Sequence, residues 1–596
     1  MTIIALTGGA GKIKKIMKPG TEWCYLGKNV EKRKKISGIL GEGKRFYLKD
    51  RLHLISERFR QPYIDLIAEF GKKQKNQLNW WAGKFASKSH LQTDFFLLFC
   101  YKVLAIELIR SRPEGKELII FIEDPWLFAD VKNICGGRNI KFFGITNFLF
   151  LKSFLILRGI VCRLLLLAWI IIARGLAYFY HTGKKPAALE RGESAVGIIN
   201  PAEPRCFKDG RYTDNYMPGL ADFYREQNIP FFYIYLLRYP LSTAKYIGKN
   251  KEILWSVILD TIFFNALKRV FEYWNPVSNG ISRYLGEYDI GFLLDREKKL
   301  EFSSAGFNVH LILHDTLDSF FKKKWCASVI YIFENQPWEK MLCMAARKNN
   351  IRLVGYQHSA ISRFYLSQFI GKRERFFVPL PDKLITAGEH SANLYREGGM
   401  PEDKIFISGA WRYLHLIDNS ASPSFRDEDF KQKPLILIAL CPDIFVSKSM
   451  LENIYKSITK KGLDKKVDFW IKPHPGNTIN ELKKVSKLIS RYPVTNESFK
   501  ALLKKMDIVI SSASVSGLEV FLYGKKVILY IPENMLAADP LLDIDHERIY
   551  KWYEGEDIDT GSLENIPPIL DVDNLNALKA KYFSAVKREV WLNSVI

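Results

Sequence analysis

Short apolar runs, each ending in a polar or glycine-bearing turn and followed by a helical stretch, recur along most of this chain. Leu118–Ile122, Ala195–Ile199, Leu435–Leu440 and Val527–Ile531 are apolar nearly throughout rather than alternating. Strands read that way when both faces of their sheet are covered, which calls for parallel sheets between helical layers. Further strands are expected at Glu22–Gly27, Arg45–Leu48, Pro230–Leu236, Ser328–Phe333, Arg352–Tyr356, Lys383–Thr386, Ile405–Ser408, Asp468–Ile471 and Asp507–Ser511. Leu52–Phe70 and Trp126–Cys135 read as helices, as does Asn574–Val595, which is expected to cross back to the first domain. In open sheets of this kind ligands bind beyond the carboxyl ends of the strands, so the residues just after each run are where chemistry is sought.

At 596 residues the chain exceeds one hydrophobic core. Residues 1–146 read as an N-terminal α/β part of a first, acceptor-side domain, which continues over 191–417. Residues 147–190 form an apolar, acid-poor helical segment. The polar stretch 418–433 is a linker to a second Rossmann-like domain at 434–570, and 571–596 is a terminal helix.

The formal net charge is +24, with a pI near 9.4, which favours anionic partners. Nothing in the pattern matches a nucleic-acid-binding module, so none is expected as a partner. Eight scattered cysteines without a C-x-x-C pair read as buried, reduced thiols of a cytoplasmic protein. From Val131 to Leu189 there is no Asp or Glu. Lys152, Arg163 and Arg174 fall within about 40° of one another on a helix, a stripe suited to lying on an anionic leaflet. The competing reading is a core helix whose arginines reach back to the surface.

Two segments of the last domain carry donor groups. Asp468–Asn477 is a strand ending in Lys472 and His474, both able to donate to phosphate. Asp507–Glu519 runs from a strand through Ser511, Ser512, Ser514 and Ser516 into a helix, an arrangement that binds anions, with Glu519 placed to accept from a ribose. In the first domain Glu334 and Glu339 follow one strand, His358 and Arg363 the next, and Glu389 a third. Asp214 lies in a loop after Ala195–Ile199. Asp543-Ile-Asp545 mimics a metal motif but reads as a solvated face.

Taken together, residues 325–535 resemble the GT-B superfamily. Within it they are similar to nucleotide-sugar 2-epimerases, to capsule and lipopolysaccharide transferases, and to bacterial sialyl- and Kdo-transferases. The matching residues are Glu334, His358, Pro381–Glu389, Ser408–Gly409, His474, Ser512, Ser516 and Glu519. Over roughly 75–535 the chain also resembles bacterial surface-carbohydrate biosynthesis proteins, through phrases such as Asn79–Lys88, Ile122–Trp126, Glu334–Glu339 and Tyr356–Ser359.

The resemblance implies an α/β fold of GT-B type, two Rossmann-like domains facing a cleft. It implies a glycosyltransferase that takes a CMP- or UDP-type sugar, with no metal or cofactor required. Lys472, His474 and the serines Ser511, Ser512, Ser514 and Ser516 would hold the donor phosphates, with Glu519 on the nucleotide. Glu334 is the first choice of base, with His358 and Asp214 behind it; Arg363, Glu339 and Glu389 would line the acceptor side. A glycan or lipid-linked acceptor at the inner face of the cell membrane is expected. An epimerase or hydrolase, or a non-catalytic assembly scaffold, are the alternatives.

Overall fold

A computed structural model describes residues 2–74, 78–111, 117–136, 140–144, 146–181, 195–200, 206–208, 211–236, 254–274, 283–417, 433–474, 479–483, 488–536, 538–558, 561 and 572–595. The expected linker 418–433 lies, except for Lys433, outside them.

Three parallel sheets organise the chain. The first contains β1 (Thr2–Leu6), β2 (Glu22–Leu26), β3 (Leu118–Ile122) and β4 (Ile140–Phe143), in the order β2-β3-β1-β4. Its helices are α1 (Val30–Leu40), α2 (Arg51–Gln74), α3 (Phe95–Arg110) and α4 (Pro125–Cys135). A 34-residue helix, α5 (Phe148–His181), then leads towards the second sheet. That sheet has seven strands: β5 (Ala195–Ile199), β6 (Phe231–Tyr235), β7 (Leu254–Ser256), β8 (Cys326–Ile332), β9 (Arg352–Tyr356), β10 (Lys383–Thr386) and β11 (Ile405–Ile407). They are ordered β11-β10-β9-β8-β5-β6-β7 and covered by α6 (Phe263–Val270), α7 (Gly291–Ser304), α8 (Gly306–Phe321) and α9 (Pro337–Lys348).

The third sheet is β13-β12-β14-β15-β16, from β12 (Leu435–Ala439), β13 (Asp468–Lys472), β14 (Ile508–Ser511), β15 (Lys526–Ile531) and β16 (Ile549–Tyr553). It carries α10 (Ile444–Lys461) and α11 (Val515–Leu522), and the chain ends in α12 (Val572–Tyr582) and α13 (Arg588–Val595). The second and third units are the two facing Rossmann-like domains of a GT-B fold.

Residues 1–146 do not extend the second sheet; they build their own. They are nevertheless welded to it, because one apolar core runs from Ile4 and Phe99 through Tyr63 to Val329 and Leu353. They also brace the third unit through a buried ionic cluster. Arg45 donates to Glu533 and to Glu554 (3.2 Å), Arg33 pairs with Glu554, and the amide of Leu48 donates to Glu533 at 2.7 Å. This explains why Arg45–Leu48 is not a strand. Apart from one bridge to Trp23, its backbone is given over to carrying Arg45 into that cluster.

The terminal helix is broken in two, and the break is the crossover. Ser584 donates its amide to the carbonyl of Ala387 at 2.8 Å. The passing segment leaves no room for side chains beneath it. A Cβ on Gly388 would lie 2.4 Å from the Tyr582 carbonyl oxygen, and one on Gly409, at φ +82°, 2.3 Å from that of Ala585. Both glycines of the motifs after β10 and β11 are thus packing requirements. Beyond the break Trp591 sits between Tyr356 and Trp411, donating to the Ser408 carbonyl at 3.2 Å.

The helix α5 reverses the expected orientation of its basic stripe. Leu155, Gly159, Arg163, Leu166, Ile170, Ala173 and Ala177, spaced three or four apart, form its buried face. Arg163 donates to the Phe302 carbonyl at 2.6 Å and lies 4.0 Å from that ring's centroid, and Arg174 donates to the carbonyl of Thr261. Carbonyls near the end of a helix such as α7 attract cations, so these two arginines clamp the helix inward and do not face lipid. Lys152 stays exposed. Arg163→Ala, which removes two charged hydrogen bonds, is expected to cost about 2 kcal/mol locally. It should speed amide exchange along α5 while leaving β12–β15 unchanged; equal exchange in α5 would contradict the clamp.

Candidate functional site

The carboxyl ends of the second and third sheets face each other across a cavity of about 740 Å³. Its walls come from all three units: Ser89–Leu91 from the first, Tyr216, Glu334, His358 and Arg412 from the second, and Lys472, His474, Ser514, Ser516 and Glu519 from the third.

On the second-unit wall the chain leaves β8 and turns sharply at Asn335, whose φ is +59°. Asparagine tolerates this left-handed conformation better than most residues. The amides of Glu334, Asn335 and Gln336 all donate to the Glu339 carboxylate at 2.8–3.1 Å. Glu339, the third residue of α9, is therefore a brace for the loop and lines no cleft. Burial and the Glu334 charge push its carboxyl up to about 8, against the pull of those amides. Asn335 is held in turn by the Ser367 carbonyl (2.6 Å) and by buried Lys340. The result is a rigid loop that presents the Glu334 side chain, itself exposed, to the cavity.

His358 follows β9 and is buried edge-to-face against Tyr216, with ring centroids 5.1 Å apart. Burial and then the Arg412 charge lower its pKa to about 3. It is neutral at physiological pH and a feeble proton acceptor, but a competent hydrogen-bonding group. Asp214 does not reach the cavity. Its carboxylate is enclosed by Asn200 (2.5 Å), the amides of Tyr216 and Met217 (2.8 and 2.9 Å) and the Tyr233 hydroxyl (3.2 Å). It fixes the turn that carries Tyr216, and burial raises its pKa.

Arg363 and Glu389 are also displaced from their expected places. Arg363 pairs with Asp543 at 2.9 Å, tying the second unit to the third, so Asp543 is no solvated turn acid. Glu389 is exposed and pairs with Arg396 at 2.8 Å.

On the opposite wall, Lys472 ends β13 and donates to the Glu497 carbonyl at 2.5 Å, with His474 two residues on. Three residues lead from β14 into α11. Ala513 takes a left-handed φ of +47°, and Ser514 caps the helix, its hydroxyl 2.5 Å from that of Ser516. The Ser514 amide turns away, to Asp539 at 3.2 Å. The Ser514 hydroxyl accepts from the Ser516 amide at 3.3 Å, and both serines line the cavity. Ser511 and Ser512 do not line the cavity; they are buried beneath the turn, their hydroxyls without a hydrogen-bond partner among the described residues. A Cβ on Gly517 would lie 2.3 Å from the Ser511 hydroxyl, so glycine is what lets α11 sit down on its strand. Glu519, one turn in, is buried and pushed up to about 7 by burial, with the Arg412 charge opposing.

Three wall residues escaped the sequence reading. Arg412 lies three residues beyond the Ser408–Gly409 match, and only the fold brings it into the cavity that Glu519 also lines. Tyr216 stands two residues beyond Asp214, and His90 just after the Asn79–Lys88 phrase. Burial lowers the pKa of His90 to about 4, and its ring lies against Tyr365. Among the described residues no three His, Cys, Asp or Glu side chains are grouped to hold a metal.

No family model and no curated protein matches the chain. Solved structures superpose loosely. The UDP-GlcNAc 2-epimerase of Neisseria meningitidis bound to UDP-GlcNAc is 10% identical over 67% of this chain and 99% of its own, with a TM-score of 0.37. An S. aureus MnaA–UDP structure is 12% identical over 67% and 95%, with a TM-score of 0.38. Anabaena Alr3699/HepE with UDP and glucose is 10% identical over 67% and 98%, with a TM-score of 0.35. The fold assignment rests on the three sheets themselves.

Proposed function

We propose that the cavity binds a nucleotide-activated sugar against the third unit and that the protein transfers the sugar to an acceptor hydroxyl. One observation carries this reading: Lys472, His474, Arg412 and the start of α11 line one cavity together with the braced carboxylate of Glu334. Cationic and N–H donors would stabilise the phosphate charge that grows as the nucleotide leaves. Glu334 would take the acceptor's proton, with His358 left as a neutral hydrogen-bonding group.

A panel of CMP, UDP, GDP and dTDP tests it by thermal shift. One nucleotide class is expected to stabilise the wild type, by about 2.7 kcal/mol at a hundredfold excess over Kd, and to lose most of that effect in His474→Ala. No shift with any of them would move the protein to a scaffold role.

Glu334 shares its cavity with Glu519, whose carboxyl burial pushes up to about 7, and this favours a second reading: acid–base chemistry on the sugar itself, epimerisation or hydrolysis without an acceptor. Incubation with the sugar nucleotide in deuterated water separates the two. Deuterium in the recovered sugar, with no acceptor added, marks epimerisation, and release of free sugar marks hydrolysis.

A further inference from the structure

Beside the cleft lies a second chamber of about 590 Å³, and the two share Leu91, Tyr216, Glu334 and Gln336. They meet at the proposed base. Away from that junction the second chamber turns apolar. Leu166, Trp169 and Ile170 of α5 form one wall, and Val309, Ile312 and Leu313 of α8 another. Each set recurs at three- and four-residue spacing, so each is one continuous helix face. Among the described lining residues Glu334 is the one carboxylate, and no lysine or arginine joins it. His310 is neutral there, burial lowering its pKa to about 4 while its Nδ1 lies 2.7 Å from the Ala82 carbonyl oxygen. Among the described lining residues a phosphate finds no cationic side chain, while the apolar faces of α5 and α8 suit hydrocarbon.

The opposite face of α5 is also apolar, and bare. Phe150 and Leu165 are 71% and 63% exposed, and α6 adds Phe264 at 78%. With no acid between Val131 and Leu189, this surface is compatible with an anionic lipid boundary. One helix therefore lines the chamber with one face and offers the other to a hydrocarbon phase.

Resting on the transfer reading above, we infer that the second chamber holds the hydrocarbon part of an amphiphilic acceptor. The acceptor's hydroxyl would lie at Glu334 and its chain between α5 and α8.

An alkyl glucoside with a brominated twelve-carbon chain, used below its micellar concentration, probes this through tryptophan quenching. Saturable quenching is expected, and Trp169→Phe with Trp338→Phe should remove most of it. Filling the chamber with Leu313→Phe, or more strongly Val309→Phe with Leu313→Phe, should weaken the probe at least tenfold. Leu157→Ser with Leu165→Ser, on the outer face, should leave it unchanged. Equal binding in the filled variants, or loss only in the outer-face pair, would place the chain outside and overturn the inference. Nucleotide thermal shifts run on the same samples keep the two ideas apart. A filled chamber that still responds to nucleotide tests the acceptor alone, and a missing nucleotide response beside intact quenching counts against the donor reading only.

Discussion

Replacing Glu334 by Gln is expected to lower turnover by about 10²–10⁴-fold, the usual worth of a positioned general base, while nucleotide affinity stays as in the wild type. The substitution keeps the side chain's size and leaves its scaffold intact, because the loop is held by Glu339, Asn335 and Lys340 rather than by Glu334. His358 cannot stand in: with its pKa near 3 it adds no limb to a rate profile between pH 5 and 8. Steady-state rates and calorimetric nucleotide binding on the same preparation decide it. Normal turnover in the variant would sink the assignment, and loss of nucleotide binding would make Glu334 a donor-site residue instead.

Arg45→Met is expected to be among the most destabilising single substitutions in the chain, costing about 3–5 kcal/mol. Arg45 reaches Glu533 and Glu554, both fully buried carboxylates, and its removal strands two charges that Arg33 alone cannot neutralise. The loss should appear as a lower urea midpoint and as earlier proteolysis between the first and third units. Arg45→Met combined with Glu533→Leu should recover much of it, because an apolar replacement of a buried pair is close to neutral. The cluster also sets an acid limit. Arg33 and Arg45, against desolvation, hold Glu554 down to about 2, below its ordinary 4.5. Its contribution is therefore complete above about pH 4.5 and fades as the pH falls towards 2.

The two facing domains were legible because parallel strands covered on both faces leave unbroken apolar runs. Leu435–Ala439 and Ala195–Ile199 need no tertiary information to be read. The separate first sheet was not legible, since β1 and β4 carry no pattern that says which strands they pair with. Arg45–Leu48 misled for a related reason: its local propensity is that of a strand, but a long-range ionic cluster overrides it. On α5 the angular spacing of the cationic residues was right and their direction wrong. Helical periodicity puts residues on a common face; only the carbonyls of Phe302 and Thr261 say that this face points inward.

The candidate site divides in the same way. Glu334, Lys472, His474 and Ser514 stand at or just beyond the ends of their strands and line the cavity. Asp214 and Glu339 also sit near strand ends, yet local bonds that hold loops consume them, while Arg363 is taken by Asp543 of the third unit and Glu389 by Arg396 on its own helix. Sequence adjacency to a strand end does not separate a residue aimed into the cleft from one that braces the turn. Arg412 and Tyr216 were hidden for the converse reason. Each reaches the cleft from a turn whose path is set by distant partners: the crossover beneath Trp591 for one, the enclosed Asp214 for the other.

Hydrogen–deuterium exchange with and without the stabilising nucleotide tests the central claim most directly. The account predicts protection concentrated at three segments: Lys472–His474, Ala513–Glu519 and Trp411–Tyr413. Each should lose its protection in His474→Ala at the same nucleotide concentration. Protection confined to the first unit, or none anywhere at saturating nucleotide, would contradict a donor site between the two facing domains.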